Sequence, residues 1–304
     1  MPPYALPRRH FLAASALACG PLMSAAAVPA GPDPPAQPLK LKKAVKFHMI
    51  RERLSVLDKF KLLKDVGFQG TEIHVRSKVD VSEAVKAVEK TGVRVHGFLN
   101  SSLPDLKYAI DQAKALGATS VLVVAGRVDR DHPYDVVYRQ QQARLRKALP
   151  YAEKQGIRLL VENVWNNFLL SPLEMARFVD ELESPAVGVY FDVGNVVRLG
   201  WPQHWIRILG KRIGKLDIKE YSRTIQKNEG LFKGFGVELG EGDCDWPEVR
   251  RALHDIGYTS GWATAEVQGG DRKRLADISR RMDRILSDPP HTSDTASPAE
   301  RNSQ

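Results

Sequence analysis

The chain has 304 residues, 43% of them hydrophobic and 27% charged, with a formal net charge of +9. That length can bury a sizeable core in one large domain or two small ones, and the composition excludes collagen-like and wholly disordered chains. The basic excess alone would suit a nucleic-acid or anionic partner, so the placement of the charges has to decide.

Near the N-terminus, Pro7-Arg8-Arg9-His10-Phe11-Leu12 precedes an alanine-rich apolar run ending near Ala27. The order resembles a twin-arginine export signal, with a small-residue exit at Ser24-Ala25-Ala26-Ala27. The run is shorter than the roughly 18–20 residues a membrane span needs. Residues 1–30 are therefore expected to be a signal read by the twin-arginine translocon, with a periplasmic or otherwise exported mature protein. Cys19 lies in a poor lipobox, because Ala16 stands at its first position, and a lipid anchor there is not expected. Without this segment Cys244 is the only cysteine, so no internal disulfide is expected. Residues 31–40 read as a Pro-rich linker and residues 288–304 as a disordered tail. Residues 41–287 are left as the folded part, close to the ~250 residues of an eight-fold α/β barrel.

Within that span one unit recurs. Val81, Ala84, Val85 and Val88 mark the apolar stripe of a helix, Gly92 stops it, and the run 93–99 follows as a strand. Leu106, Ala109, Ile110 and Ala113 repeat the stripe before Gly117. Gly67, Gly156 and Gly257 punctuate in the same way, as helix C-termini favour. The predicted strands are 44–50, 69–75, 93–99, 119–125, 157–163, 186–192, 213–220 and 261–267. Helices fall between them, and the last carries Leu275, Ile278, Met282 and Ile285 on one face. Ser171-Pro172-Leu173-Glu174 has the pattern of a capping box. Strands alternating with helices in this number predict an α/β fold, a (β/α)8 TIM barrel, over an open doubly wound sheet. No Gly-rich phosphate loop follows the first strand.

In such a barrel, catalytic groups project from the C-terminal ends of strands. Four successive predicted strands each place an acid late in an apolar run: Glu162, Asp192, Asp217 and Glu266. Four carboxylates converging in one mouth repel each other and call for protons or cations. A divalent ion satisfies them, and an all-oxygen ligand set suits Mn²⁺ or Mg²⁺ better than Zn²⁺. Alternatively, one or two of these acids point outward or pair with Lys215, Lys219 or Arg158. Three histidines, His48, His74 and His96, are read as late in their strands and as candidate substrate contacts. Glu72 shares the face of His74. Asn163 and Asn166 are placed to meet hydroxyls, and Trp165, Trp201 and Trp262 to stack on a sugar ring or to fill the core.

The ordered set Val161-Glu162-Asn163, Phe191-Asp192-Val193-Gly194-Asn195, Asp217-Ile218-Lys219-Glu220, Gly240–Trp246 and Glu266 resembles the sugar phosphate isomerase/epimerase superfamily of xylose isomerase-like barrels. The resemblance covers about residues 44–287. It implies Glu162, Asp192, Asp217 and Glu266 as metal ligands, with Glu162 and Glu266 also the catalytic acid/base pair. It assigns Lys219 to polarise a substrate oxygen; a salt bridge to Asp217 or Glu220 is the other reading. One position departs from the family pattern, because Asp217 stands where a metal histidine is usual. Either the site is more anionic than its relatives or Asp217 is not a ligand.

The expectation is an exported, divalent-metal-dependent isomerase or epimerase acting on a keto-sugar through an enediolate. A lyase or hydrolase of 3-keto-glycosides would use the same groups, and a non-catalytic sugar-binding barrel is a third reading. Nucleic acid is not an expected partner. The zinc histidines of the superfamily's endonucleases are missing, and the remaining charge, 43 bases against 36 acids without residues 1–30, is dispersed over helices such as 272–284.

Overall fold

The computed structural model describes residues 39–287 except Ser102. The signal, nearly all of the linker and the tail lie outside the described residues. In chain order the elements are β1 (Lys40–Lys46), α1 (Val56–Asp65), β2 (Gly70–His74), α2 (Val81–Thr91), β3 (Arg94–Ser101) and α3 (Leu106–Ala115). They continue as β4 (Ser120–Val123), α4 (Tyr134–Gln155), β5 (Arg158–Glu162), α5 (Pro172–Asp180), β6 (Val187–Asp192), α6 (Val193–Val197) and α7 (Pro202–Leu209). The chain then forms β7 (Ile213–Ile218), α8 (Arg223–Glu229), α9 (Trp246–Asp255), β8 (Ser260–Ala265) and α10 (Arg272–Leu286).

The eight strands are parallel and close in sequence order, β8 pairing back onto β1 from Lys40↔Ser260 to Val45↔Ala265. Closure removes both sheet edges. Local chemistry sets the helices. Ser55, Asp80, Asp105, Asp245 and Asp271 each accept a backbone N–H at a helix start. Gly92 and Gly156 end α2 and α4 at φ 77° and 69°, where a side chain would be strained. Ser171 caps α5 as its pattern predicts, accepting from Glu174 N at 3.2 Å. The return bond differs: Glu174 accepts from Leu170 N and from the Tyr134 hydroxyl rather than from Ser171.

Two departures from the sequence reading matter for the site. β1 runs 40–46 rather than 44–50, because its pairing with β8 begins at Lys40. His48 therefore sits in a 3₁₀ turn just beyond the strand and is exposed. The β6–β7 connection holds two helices instead of one, and the shorter, α6, is capped by Asp192 itself.

The core has two layers. Between sheet and helices lies one large apolar cluster that includes Phe60, Leu63, Ile110, Leu145, Phe178, Leu253, Ile278 and Met282. Inside the barrel the apolar part is small: Leu99, Leu122, Leu160 and Tyr190. The rest of that interior is polar or charged, with Lys46, Glu72, His96, Lys215, Asp217 and Thr264 all buried. No described helix is long and apolar enough to cross a membrane.

Candidate metal centre

Each of the four acids stands at a strand end. Glu162 closes β5, Asp192 closes β6, Asp217 is next to last in β7, and Glu266 follows β8 with its N–H on Ile218 O at 3.0 Å. Asp192 and Asp217 are direct partners across the β6–β7 ladder. One carboxylate oxygen from each of the four lies within 4.8 Å of the others. Oxygens on opposite sides of a single ion are about 4.2 Å apart for Mg²⁺ and about 4.6–5.2 Å apart for Ca²⁺, so the cluster can close on one hard cation. Asp192 Oδ2 and Asp217 Oδ1 each face a lysine ammonium at 2.8 Å, so both oxygens already meet positive charge.

Two ammonium groups share the cluster. Lys219 Nζ lies 2.8 Å from Asp192 Oδ2 and 3.3 Å from Glu266 Oε2. Lys46 Nζ, on a side chain 1% exposed, lies 2.8 Å from Glu72 Oε2 and 2.8 Å from Asp217 Oδ1, over the ring of Tyr190. Lys219 thus pairs with two of the four acids, not with Asp217 or Glu220. Glu220 is engaged elsewhere. It accepts from Gly240 N, Cys244 N and the Trp246 indole, and so ties the loop 240–246 to the end of β7.

Electrostatics split the two glutamates. Burial pushes the Glu162 carboxyl up to about 8, and the charge of Glu266 adds to the push. Burial opposes ionisation of Glu266 too, but Lys219 and Lys46 outweigh it and hold that carboxyl down at about 2. Burial also raises Asp192 and Asp217 against the pull of the same lysines.

The remaining sequence candidates divide by depth. His74 ends β2 half-buried at the mouth, its Nε2 3.1 Å from Ser101 Oγ and its Nδ1 accepting from Arg76 N. Burial lowers its pKa, and partial loss of hydration at the barrel mouth lowers that of His48, which favours neutral rings. Glu72 and His96 do not reach the mouth. β3 extends to Ser101, so His96 is early in its strand and stacks inside the barrel on Trp262 at 4.2 Å, with Nε2 on Thr264 Oγ1. Glu72 is fully buried against Lys46, in space left by Gly97, where a Cβ would stand 2.1 Å from Glu72 Oε1. Neither is placed to contact substrate, and Trp262 is a half-buried residue stacked on His96 rather than one at the mouth.

Asn163 and Asn166 are spent on the backbone. The Asn163 amide donates to Asp192 O and accepts from Asp192 N, both at 2.8 Å, and so clamps the end of β6. Asn166 donates to Ala125 O and Gly126 O. Trp165 donates to Asn195 O and packs with Tyr221, Phe232 and Phe235. A cleft of 340 Å³ opens next to these supports, lined by Asn163, Trp165, Phe168, Leu170, Asn195 and Arg198 among others. Sequence reasoning missed Lys46. Its one signal is a lysine on the inward-facing alternation of β1, on the same side as Ala44.

The model of the family described as "Xylose isomerase-like TIM barrel" matches residues 60–286. A 3-oxo-isoapionate decarboxylase of Pectobacterium atrosepticum is 30% identical over 112 residues, 36% of this chain and 40% of that protein. An Escherichia coli K12 protein with the provisional name L-ribulose-5-phosphate 3-epimerase SgbU is 27% identical over 234 residues, 67% of this chain and 81% of its own length. A solved structure of the IOLI protein with a bound zinc atom superposes with a TM-score of 0.69 at 14% identity, covering 81% of this chain and 98% of that one. At that identity the likeness shows the fold alone. The match over residues 60–286, on a closed barrel of eight parallel strands, places the chain in the xylose isomerase-like TIM barrel family.

Proposed function

We propose that the chain is a divalent-metal-dependent isomerase or epimerase of a keto-sugar, with Mn²⁺ or Mg²⁺ held by Glu162, Asp192, Asp217 and Glu266. The observation that carries this reading is the convergence of those four carboxylates within 4.8 Å at the C-terminal mouth of the barrel. The provisional epimerase name of the Escherichia coli relative supports the sugar chemistry. When bound, such an ion polarises a substrate carbonyl and the neighbouring hydroxyl. The protein's own groups move the proton. Each glutamate would give one oxygen to such an ion and keep the other for a proton. Glu266, held ionised by Lys219 and Lys46, removes the proton next to the carbonyl. Glu162, whose burial favours the protonated form, returns one to the carbon. Lys219 lies between Asp192 and Glu266, where its ammonium can donate to a substrate oxygen.

A second reading, cleavage of a 3-keto-glycoside, draws on the cleft beside the centre. Its walls of Trp165, Phe168, Leu169 and Leu170 suit an apolar leaving group. Incubating the Mn²⁺-loaded protein with keto-sugars and 3-keto-glycosides, and following both epimer and released aglycone, tests the two together. Epimer formation abolished by Glu266→Gln supports the first reading, and aglycone release with no epimer supports the second. Neither product from any substrate would leave the non-catalytic sugar-binding barrel.

Export through the twin-arginine route is also proposed, from Arg8-Arg9 and the apolar run after them. An Arg8→Lys/Arg9→Lys variant should disappear from the periplasmic fraction. An unchanged fraction would refute the route.

A further inference from the structure

The four ligands share the barrel interior with other buried charges. Five carboxylates lie there: Glu72, Glu162, Asp192, Asp217 and Glu266. Three lysines lie with them: Lys46 and Lys215, both buried, and Lys219 at the rim. Arg158, on the same inward face of β5 as Leu160, adds a fourth cation at the far end of the barrel. Among the described residues the four ligands themselves meet only Lys46 and Lys219, which leaves them two negative charges, the charge of one divalent cation. Four carboxylate ligands without these lysines would favour a more highly charged ion.

Lys46 is the strongest element of this balance. Its ammonium bridges Glu72 and Asp217 at 2.8 Å each, and the side chain is 1% exposed. Its charge is little screened by bulk solvent, because the side chain is buried beside Tyr190 and the two acids. It touches Asp217 from within the barrel, so it is not itself in the mouth. Glu72 holds it there, and Gly97 leaves the room that Glu72 needs.

We propose that Lys46 is a built-in counter-cation that fixes the charge of the ion this centre accepts, cancelling Asp217 so that the four-carboxylate cage takes a divalent ion in preference to a trivalent one. The proposal rests on the metal reading above and adds to it a positioning residue that never touches the ion. A trivalent ion feels one more unit of repulsion from the Lys46 ammonium than a divalent ion does. In a partly screened interior that difference amounts to about a hundredfold in relative affinity.

The test uses the full chain stripped with EDTA, with Mn²⁺ and Tb³⁺ as the only probes. Mn²⁺ binding is read by calorimetry and Tb³⁺ binding by sensitised luminescence, and the quantity compared is the ratio of the two affinities. Lys46→Met should raise the Tb³⁺/Mn²⁺ ratio at least about tenfold. Lys46→Arg, which keeps the charge, should leave it near wild type. Glu72→Gln, which removes an anion instead, should lower it, and it carries the test by itself where Lys46→Met does not fold. General damage to the site weakens both ions together and leaves the ratio alone. A ratio unmoved in folded Lys46→Met or Glu72→Gln overturns this proposal while the metal reading stands. A wild-type protein that binds neither ion overturns the metal reading, and this proposal with it.

Discussion

The two layers of the core are built from opposite materials. Outside the sheet, Phe178, Leu253 and Ile278 pack helices onto strands with no charge among them. Inside, Lys46, Glu72, Lys215 and Asp217 fill much of the volume that apolar residues usually occupy in such a barrel. The outer layer is held by volume and by water's exclusion from apolar surface, and its substitutions should register as stability. The inner layer is held by charge balance, because a buried ion is tolerable only when it is paired. Its substitutions should register first as chemistry and ion binding.

Four predictions sharpen that contrast. Glu162→Gln and Glu266→Gln should each reduce turnover by about a thousandfold or more, about 4 kcal/mol on the barrier, with the thermal melt nearly unchanged. Steady-state rates beside circular dichroism check this, and full activity in either variant would remove that residue from its role. Phe178→Ala, in the outer layer, should cost about 3–5 kcal/mol of stability while the rate per folded molecule stays constant. Denaturant unfolding and titration of active protein separate the two.

The third prediction concerns pH. The Glu162 carboxyl is raised from 4.5 to about 8, so between those values the metal-free folded state holds a proton that the unfolded chain has lost. The contribution of Glu162 to metal-free stability therefore falls as pH rises through that window. The affinity for a divalent ion should rise over the same window, since the proton opposes the cation. Calorimetry at pH 6, 7 and 8 reads this slope, and Glu162→Gln should flatten it. The smallest effect expected is about 1 kcal/mol from Ser171→Ala, which removes the α5 cap and touches neither layer.

Much of this was readable before any coordinates. The barrel followed from stripes ending at glycines, because helix period and strand alternation are local properties. The four acids were readable as well, since each interrupts the end of an apolar run and strand ends are where this fold gathers its chemistry. Depth was not readable. His96 and Glu72 look like mouth residues until β3 is seen to extend to Ser101, which sinks His96 to the level of Trp262. Lys46 was hidden by its company. Lys40, Lys42, Lys43 and Lys46 all lie in β1, and only the pairing of β1 with β2 and β8 decides which of them points inward. Lys43 turns the other way, onto Ser279 and Asp283. The amides of Asn163 and Asn166 were read as substrate contacts because a polar side chain after a strand end looks available. Their partners are backbone groups from other strands and loops, which sequence spacing does not reveal.

The central claim is that four carboxylates at four successive strand ends hold one divalent ion. Titrating Mn²⁺ into the EDTA-stripped protein, beside Asp192→Asn and Glu162→Gln, tests it most directly. One ion per chain in the wild type, with affinity reduced at least about tenfold in both variants, is the predicted result. No binding in the wild type, or equal binding in all three proteins, would contradict it.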